Sequence, residues 1–197
     1  MIKIFLSMFV AYLLGNISGG LILGKLFFNK DIRDYGSKNA GTTNALRVFG
    51  AKAGVLTFVI DFFKAILACY IGMKLASTTG VFVCAIFVVL GHNWPLFLNF
   101  KGGKGIASSF GFIFFFDYKL ALVVMVVFII IVSISKYMSL GSILSSIFVI
   151  PIAYIFGYTD VELYITLLLL SFLSVYRHSS NIKRLIAGKE NKIKLKK

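Results

Sequence analysis

Acidic residues are scarce in this chain: 197 residues hold 7 Asp and Glu against 21 Lys and Arg, with only 2 histidines and 2 cysteines. So few acids, histidines and thiols argue against a metal centre of familiar ligand spacing, and no metal or other cofactor is expected. Cys69 and Cys84 both lie inside apolar runs, which makes them packing residues and implies no disulfide framework. Charge of either sign is missing over long stretches as well. Residues 4–24, 75–100 and 137–159 contain no Asp, Glu, Lys or Arg. About 20 apolar residues in a helix cross the ~30 Å hydrocarbon layer of a bilayer. Hydrophobic residues make up 59% of the chain, against ~45–50% in soluble domains. The composition therefore predicts an all-α integral membrane protein.

Seven apolar segments can be traced, at 4–26, 53–76, 79–98, 105–116, 120–136, 138–158 and 161–177. The fourth is short, reaching only ~18 Å at ~1.5 Å per residue; it is either a crossing or a half-helix shielded by its neighbours. The first segment follows Met1-Ile2-Lys3 with no A-x-A cleavage site, so it is expected to be retained as a span. No lipidation box accompanies it.

A net charge of +14 on a soluble protein would suggest nucleic acid. Here it reads better as the basic bias of cytoplasmic loops, and no nucleic-acid partner is expected. With seven spans, the N-terminus outside and the C-terminus cytoplasmic, the inner loops collect Lys25, Lys30, Arg33, Lys38, Arg47, Lys52, Lys101, Lys104, Lys136 and the basic residues of 177–197. Fusing segments four and five would move the basic tail outside. Within the spans, Gly15-x-x-x-Gly19 and Gly20-x-x-x-Gly24 suit close helix approach. Asp61 and Lys64 share one helical face; they are either a functional site or a mutually neutralising pair.

The chemistry is expected in three polar segments that emerge on one side. Tyr35-Gly-Ser-Lys-Asn-Ala-Gly-Thr-Thr-Asn-Ala-Leu-Arg-Val48 joins glycines, hydroxyls, amides and cations ahead of a helix start, a composition suited to anions. A polar turn with N-caps would need fewer such groups. In the segment 91–109, Lys101-Gly-Gly-Lys-Gly105 likewise precedes a helix. It is not a Walker A loop, since Leu98 stands where that pattern needs glycine, and Ser108 breaks the dinucleotide fingerprint. The third, 176–188, begins Tyr176-Arg-His-Ser-Ser-Asn; a shorter polar stretch runs from Lys136 to Ser142. The aspartate cluster of CDP-alcohol phosphotransferases is absent. So is the H-x-x-x-x-D box of common glycerolipid acyltransferases, because Phe97 and Lys183 stand five after the two histidines.

Together these segments resemble the bacterial acyl-phosphate:glycerol-3-phosphate acyltransferase family (PlsY-type). The pattern G-S-x-N-x-G-x-T-N-x-x-R is matched by Gly36 to Arg47. G-H-x-x-P-x-F-x-x-F-x-G-G-K-G is matched by Gly91 to Gly105, and R-H-x-x-N-I-x-R-L by Arg177 to Leu185. Departures are Lys38 where the family usually has Gly, Ala40 for Pro or Ile, Thr42 for Ala, and Ser179 for a frequent Arg.

The resemblance implies one acyltransferase domain over 1–197 in the bacterial cytoplasmic membrane, with its site on the cytoplasmic side. It implies transfer of a fatty acyl group from acyl phosphate to the sn-1 hydroxyl of glycerol 3-phosphate, giving lysophosphatidic acid and phosphate. Its partners would be those two substrates, membrane lipids and the enzyme that supplies acyl phosphate. By carry-over, Ser37, Lys104 and His178 form the catalytic set, and Ser37, Asn39, Thr43, Asn44, Arg47, Lys104, Ser142, His178 and Asn181 bind substrate phosphate. The base is either His178 or a substrate phosphate oxygen, since no Ser-His-acid arrangement is visible. An organic-phosphate transporter and a lipid-binding scaffold are the competing classes.

Overall fold

The computed structural model describes residues 1–193, and the basic residues at 194, 196 and 197 of the tail lie outside them. The described residues are helical, with no strand among them. The chain divides into two compact units, Met1–Phe116 and Asp117–Lys197.

In the first unit, α1 (Ile2–Gly15) and α2 (Gly19–Phe28) make up the first apolar segment. The segment holds a break at residues 16–18. Asn16 ends α1, turning its side-chain amide back onto the carbonyl of Tyr12 at 2.6 Å. Ser18 is extended and caps α2 by accepting Leu21 N–H at 3.5 Å. The break leaves the carbonyls of Gly15 and Ile17 without helical partners, and Lys64 Nζ donates to both. A 3₁₀ turn (Ile32–Asp34) and α3 (Thr42–Phe49) then build the first polar loop.

The long helix α4 (Ala51–Asn93) is two arms. Ala76 and Ser77 leave helical geometry, Ser77 with φ 54°, so 51–75 and 78–93 run as a hairpin. Close to its tip the backbones touch: a Cβ on Gly72 would strike the carbonyl of Gly80, and one on Gly80 that of Gly72. Gly15 likewise lies on the backbone of Val88 and Gly91, so the first glycine spacing does serve close packing. The helix α5 (Ile106–Phe116) lies along the first arm of α4. Phe62 meets Phe110 and Phe114 there at 5.6 and 5.4 Å between ring centroids, and Phe112 is wholly buried. Aromatic contacts of this kind add ~0.5–1.5 kcal/mol each beyond the area they bury.

The second unit holds α6 (Tyr118–Ser135), α7 (Met138–Ile155), α8 (Val161–Arg177) and α9 (Ser179–Ile186). Asp117 caps α6 by accepting Lys119 N–H at 2.7 Å. Tyr158 donates to the same carboxylate from the turn after α7. That hydrogen bond holds the Asp117 carboxyl below its usual range, while burial first and then this carboxylate push the Tyr158 hydroxyl up to about 12. Inside the helices, serine hydroxyls are spent on nearby carbonyls, Ser142 on Met138 at 2.9 Å and Ser146 on Ile143 at 2.8 Å, as an apolar solvent demands.

Large apolar side chains face outward along these helices, among them Phe9, Phe63, Ile134, Tyr154 and Phe172. Water would penalise such a surface; lipid does not. The helical stretches Ile2–Phe28, Ala51–Leu98, Tyr118–Ser135 and Met138–Ile155 are long and apolar enough to cross a membrane. The pair α8 and α9, bent by 59°, adds one more if taken as a single span. This is a multi-pass membrane protein.

Candidate active site

The first loop is wound around Asn44. Its side-chain amide donates to the carbonyls of Ile32 at 3.1 Å, Tyr35 at 3.0 Å and Asn39 at 2.9 Å, while its Oδ1 accepts Ser37 N–H at 2.8 Å. Asn44 is only 1% exposed, so its side chain is committed to shaping the loop rather than to a ligand. Asn39 Oδ1 accepts Gly41 N–H at 3.0 Å, making the turn that starts α3. Beneath lie Leu21, Ile32, Ala40 and Ala45, with Phe49 and Leu98 against them. On this support Ser37 and Arg47 are exposed, and Thr43 is half-buried in the first turn of α3.

Arg33 ties this loop to the second. Its guanidinium takes both oxygens of Asp31, Nη2 to Oδ2 at 2.7 Å, and Nη1 donates to Leu98 O at 3.0 Å. The Asp31–Arg33 hydrogen bond holds the Asp31 carboxyl below its ordinary value and raises the Arg33 guanidinium above its own. The Leu98 carbonyl belongs to a 3₁₀ turn (Leu96–Leu98) that leads through Asn99 and Phe100, both at left-handed φ, into Lys101.

Lys104 is half-buried between Gly103 and Gly105, the latter at φ +79° just before α5. Gly103 N–H donates to His92 O at 2.9 Å, and a Cβ on Gly103 would occupy the space of the His92 ring. The segment therefore lies flat against His92 and delivers Lys104 beside the N-terminal N–H groups of an eleven-residue helix. That is the cationic and dipolar setting that favours phosphate.

In the second unit, His178 stands at the bend between α8 and α9 and is 3% exposed. Its Nδ1 lies 2.8 Å from Ser174 O, a contact that places the ring proton on Nδ1. Asn181, also buried, donates to Glu190 Oε1 at 2.7 Å. Glu190 gathers Ser139 Oγ at 2.9 Å and Arg184 Nε at 2.7 Å onto the same carboxylate. Burial pulls the Glu190 carboxyl upward, but the hydrogen bonds from Asn181, Arg184 and Ser139 outweigh it and leave it below the ordinary glutamate value. Ser142 sits on α7 with its hydroxyl proton turned to Met138 O.

Within the first unit the structure thus brings Ser37 and Asn39 into one loop, with Thr43, Asn44 and Arg47 on the helix that follows and Lys104 on the adjoining segment. Asp31, Arg33, His92 and Glu190 were not among the expected site residues. Arg33 and Asp31 were visible only as loop charges, and Glu190 lies beyond the third motif.

The family model for glycerol-3-phosphate acyltransferase matches residues 5–188. A glycerol-3-phosphate acyltransferase of Finegoldia magna is 47% identical over 184 residues, 93% of each chain. One from a Thermoanaerobacter species is 43% identical over 95% of this chain and 94% of its own. The crystal structure of PlsY, an integral membrane glycerol 3-phosphate acyltransferase, in its glycerol 3-phosphate form, superposes with a TM-score of 0.91 at 35% identity, covering 97% of this chain and 96% of that one. Its lysophosphatidic acid form gives 0.89 at 34%, covering 97% and 95%. Three matched motifs, a phosphate-suited loop pair and agreement along nearly the whole length make this chain a member of the glycerol-3-phosphate acyltransferase family.

Proposed function

We propose that this protein acylates the sn-1 hydroxyl of glycerol 3-phosphate, using acyl phosphate as donor and releasing lysophosphatidic acid and phosphate. The observation that carries this reading is the whole-length match to the family and to a PlsY structure in its glycerol 3-phosphate form. The cationic glycine segments fit two phosphorylated substrates. A transporter is not favoured, since the relatives are acyltransferases.

Ser37, Arg47, Lys104, His178 and Asn181 are assigned to the substrate phosphates and the reacting groups, with Thr43 and Asn39 in support. Asn44 serves by holding the Ser37 turn. Ser142 would have to rotate its hydroxyl away from Met138 to donate to a ligand. Acyl phosphate arrives activated, so holding hydroxyl and carbonyl together and neutralising the phosphates supplies much of the barrier reduction. The alcohol proton passes to a substrate phosphate oxygen or to His178 Nε2, and the acyl carbon–phosphate oxygen bond breaks as the ester forms.

The chain is taken as one domain, since the family model runs from 5 to 188. Counting the two arms of α4 separately and including α5 and α8 gives seven crossings, with the N-terminus outside and the motif loops at the cytoplasmic face of the bacterial inner membrane. The basic loop residues support that orientation. Supply of acyl phosphate by a partner enzyme and contact with membrane lipids follow from the same reading. The test is direct: purified protein, acyl phosphate and glycerol 3-phosphate, without coenzyme A, should yield lysophosphatidic acid. A folded sample that forms none, but forms it once acyl-coenzyme A is added, would overturn the donor.

A further inference from the structure

Lys64 is buried in the first unit, its side chain 4% exposed and that of its partner Asp61 1%. Its Nζ lies 2.8 Å from Asp61 Oδ1, 3.1 Å from Gly15 O and 2.9 Å from His92 Nδ1, and also donates to Ile17 O. An ammonium has hydrogens to give and no lone pair to receive. His92 Nδ1 also lies 3.5 Å from Asp61 Oδ1, so the edge of the ring is held against both members of the pair. The three hydrogens of the ammonium stand among four polar atoms, Asp61 Oδ1, Gly15 O, Ile17 O and His92 Nδ1, and these contacts fix where the ring lies.

That ring is the surface on which Gly103 rests, with Gly103 N–H on the same residue's carbonyl at 2.9 Å. On the far side of Lys104, Ser108 Oγ donates to the backbone carbonyl of Asp61 at 3.1 Å. The Asp61–Lys64 turn of α4 thus fastens both flanks of Lys104, through His92 before it and through Ser108 after it. A mere neutralising pair would need neither contact.

We propose that Lys64 is a positioning residue that holds the Gly102–Gly103–Lys104 segment in its binding geometry through His92. This rests on the reading that the segment binds a substrate phosphate. The test is steady-state kinetics on the purified full chain, varying each phosphorylated substrate, with thermal unfolding alongside. Lys104→Ala sets the signature by raising KM for one of the two substrates. Asp61→Asn with Lys64→Met removes both charges together, so that neither is left buried alone. It leaves the Gly15 and Ile17 carbonyls without their donor, so a lower unfolding temperature is expected; the same KM should rise about tenfold, leaving the other within about twofold.

If Lys104→Ala changes nothing, the phosphate reading fails and the inference with it. If Lys104→Ala raises a KM and the double variant does not, the inference alone is overturned. A double variant that loses stability or turnover with both KM values unchanged also overturns it. Should the double variant not fold, His92→Asn carries the test. Its side-chain oxygen can still accept from Lys64, but the ring under Gly103 is gone, and an unchanged KM overturns the proposal.

Discussion

The side-chain oxygen of Asn44 accepts the backbone N–H of Ser37, seven positions earlier, at 2.8 Å and closes a turn around one buried amide. Asn44→Ala leaves three carbonyls and one N–H without this partner. A loss of about 1–3 kcal/mol in stability is expected, together with a raised KM for a phosphorylated substrate. Thermal unfolding and steady-state kinetics on one preparation would check both.

Lys38 occupies a left-handed conformation, φ +57°, where the family usually has glycine. Left-handed backbone costs a side-chain-bearing residue about 1–2 kcal/mol, and glycine's extra unfolded-state entropy offsets about 0.5–1 of that. Lys38→Gly should therefore raise stability by up to about 1.5 kcal/mol, read as a higher unfolding temperature. An unchanged or lower value would show that the strain is relieved elsewhere.

Arg33 reaches both Asp31 oxygens and the carbonyl of Leu98 with one planar group. Lysine cannot reproduce that fork. Arg33→Lys should loosen the second loop while keeping the charge, raising a KM about three- to tenfold with little change in unfolding temperature. Equal kinetics would mean that charge alone suffices there.

Glu190 contributes, with Asp117, to the acid side of the stability profile for the second unit. Its native pKa is depressed, so its contribution is fully present above the ordinary glutamate value of about 4.3 and is lost as pH falls through the lower native value. Glu190→Gln should lower stability near neutrality and flatten this acid-side dependence. Unfolding curves between pH 7 and pH 3 would show it; a variant as steep as the parent would reassign the dependence to another carboxylate.

His178 bears on the identity of the base. With Nδ1 directed to Ser174 O, its Nε2 is the nitrogen able to take a proton. If a substrate phosphate is the base, His178→Ala should retain turnover, reduced about 10²-fold or less. A loss near 10⁴-fold would identify His178 as the base.

Much of this was legible in the linear chain. Uncharged runs announced the helices, because lipid tolerates no stray charge, and glycine beside lysine announced the phosphate-suited turns. What escaped were contacts set by tertiary packing. Asn44 looked like one more polar ligand, and only its 1% exposure and four hydrogen bonds reveal a structural task. The break at Asn16 and Ser18 had a signal, two polar residues within an apolar run, which the glycine spacing overshadowed. Lys64 and His92 lie 28 residues apart, and no helical periodicity joins them.

The α4 hairpin bears on how the protein enters its membrane. Its arms touch at Gly72 and Gly80, and Lys64 has its counter-ion one turn away on the same arm. A lone lysine at mid-bilayer costs about 2.5–3.5 kcal/mol on insertion scales. This hairpin carries its own neutralisation and its own close packing as it emerges from the ribosome. It can partition into lipid as a unit before α5 and its phenylalanines are made, so biogenesis need not wait for the assembled bundle to shelter the buried charge.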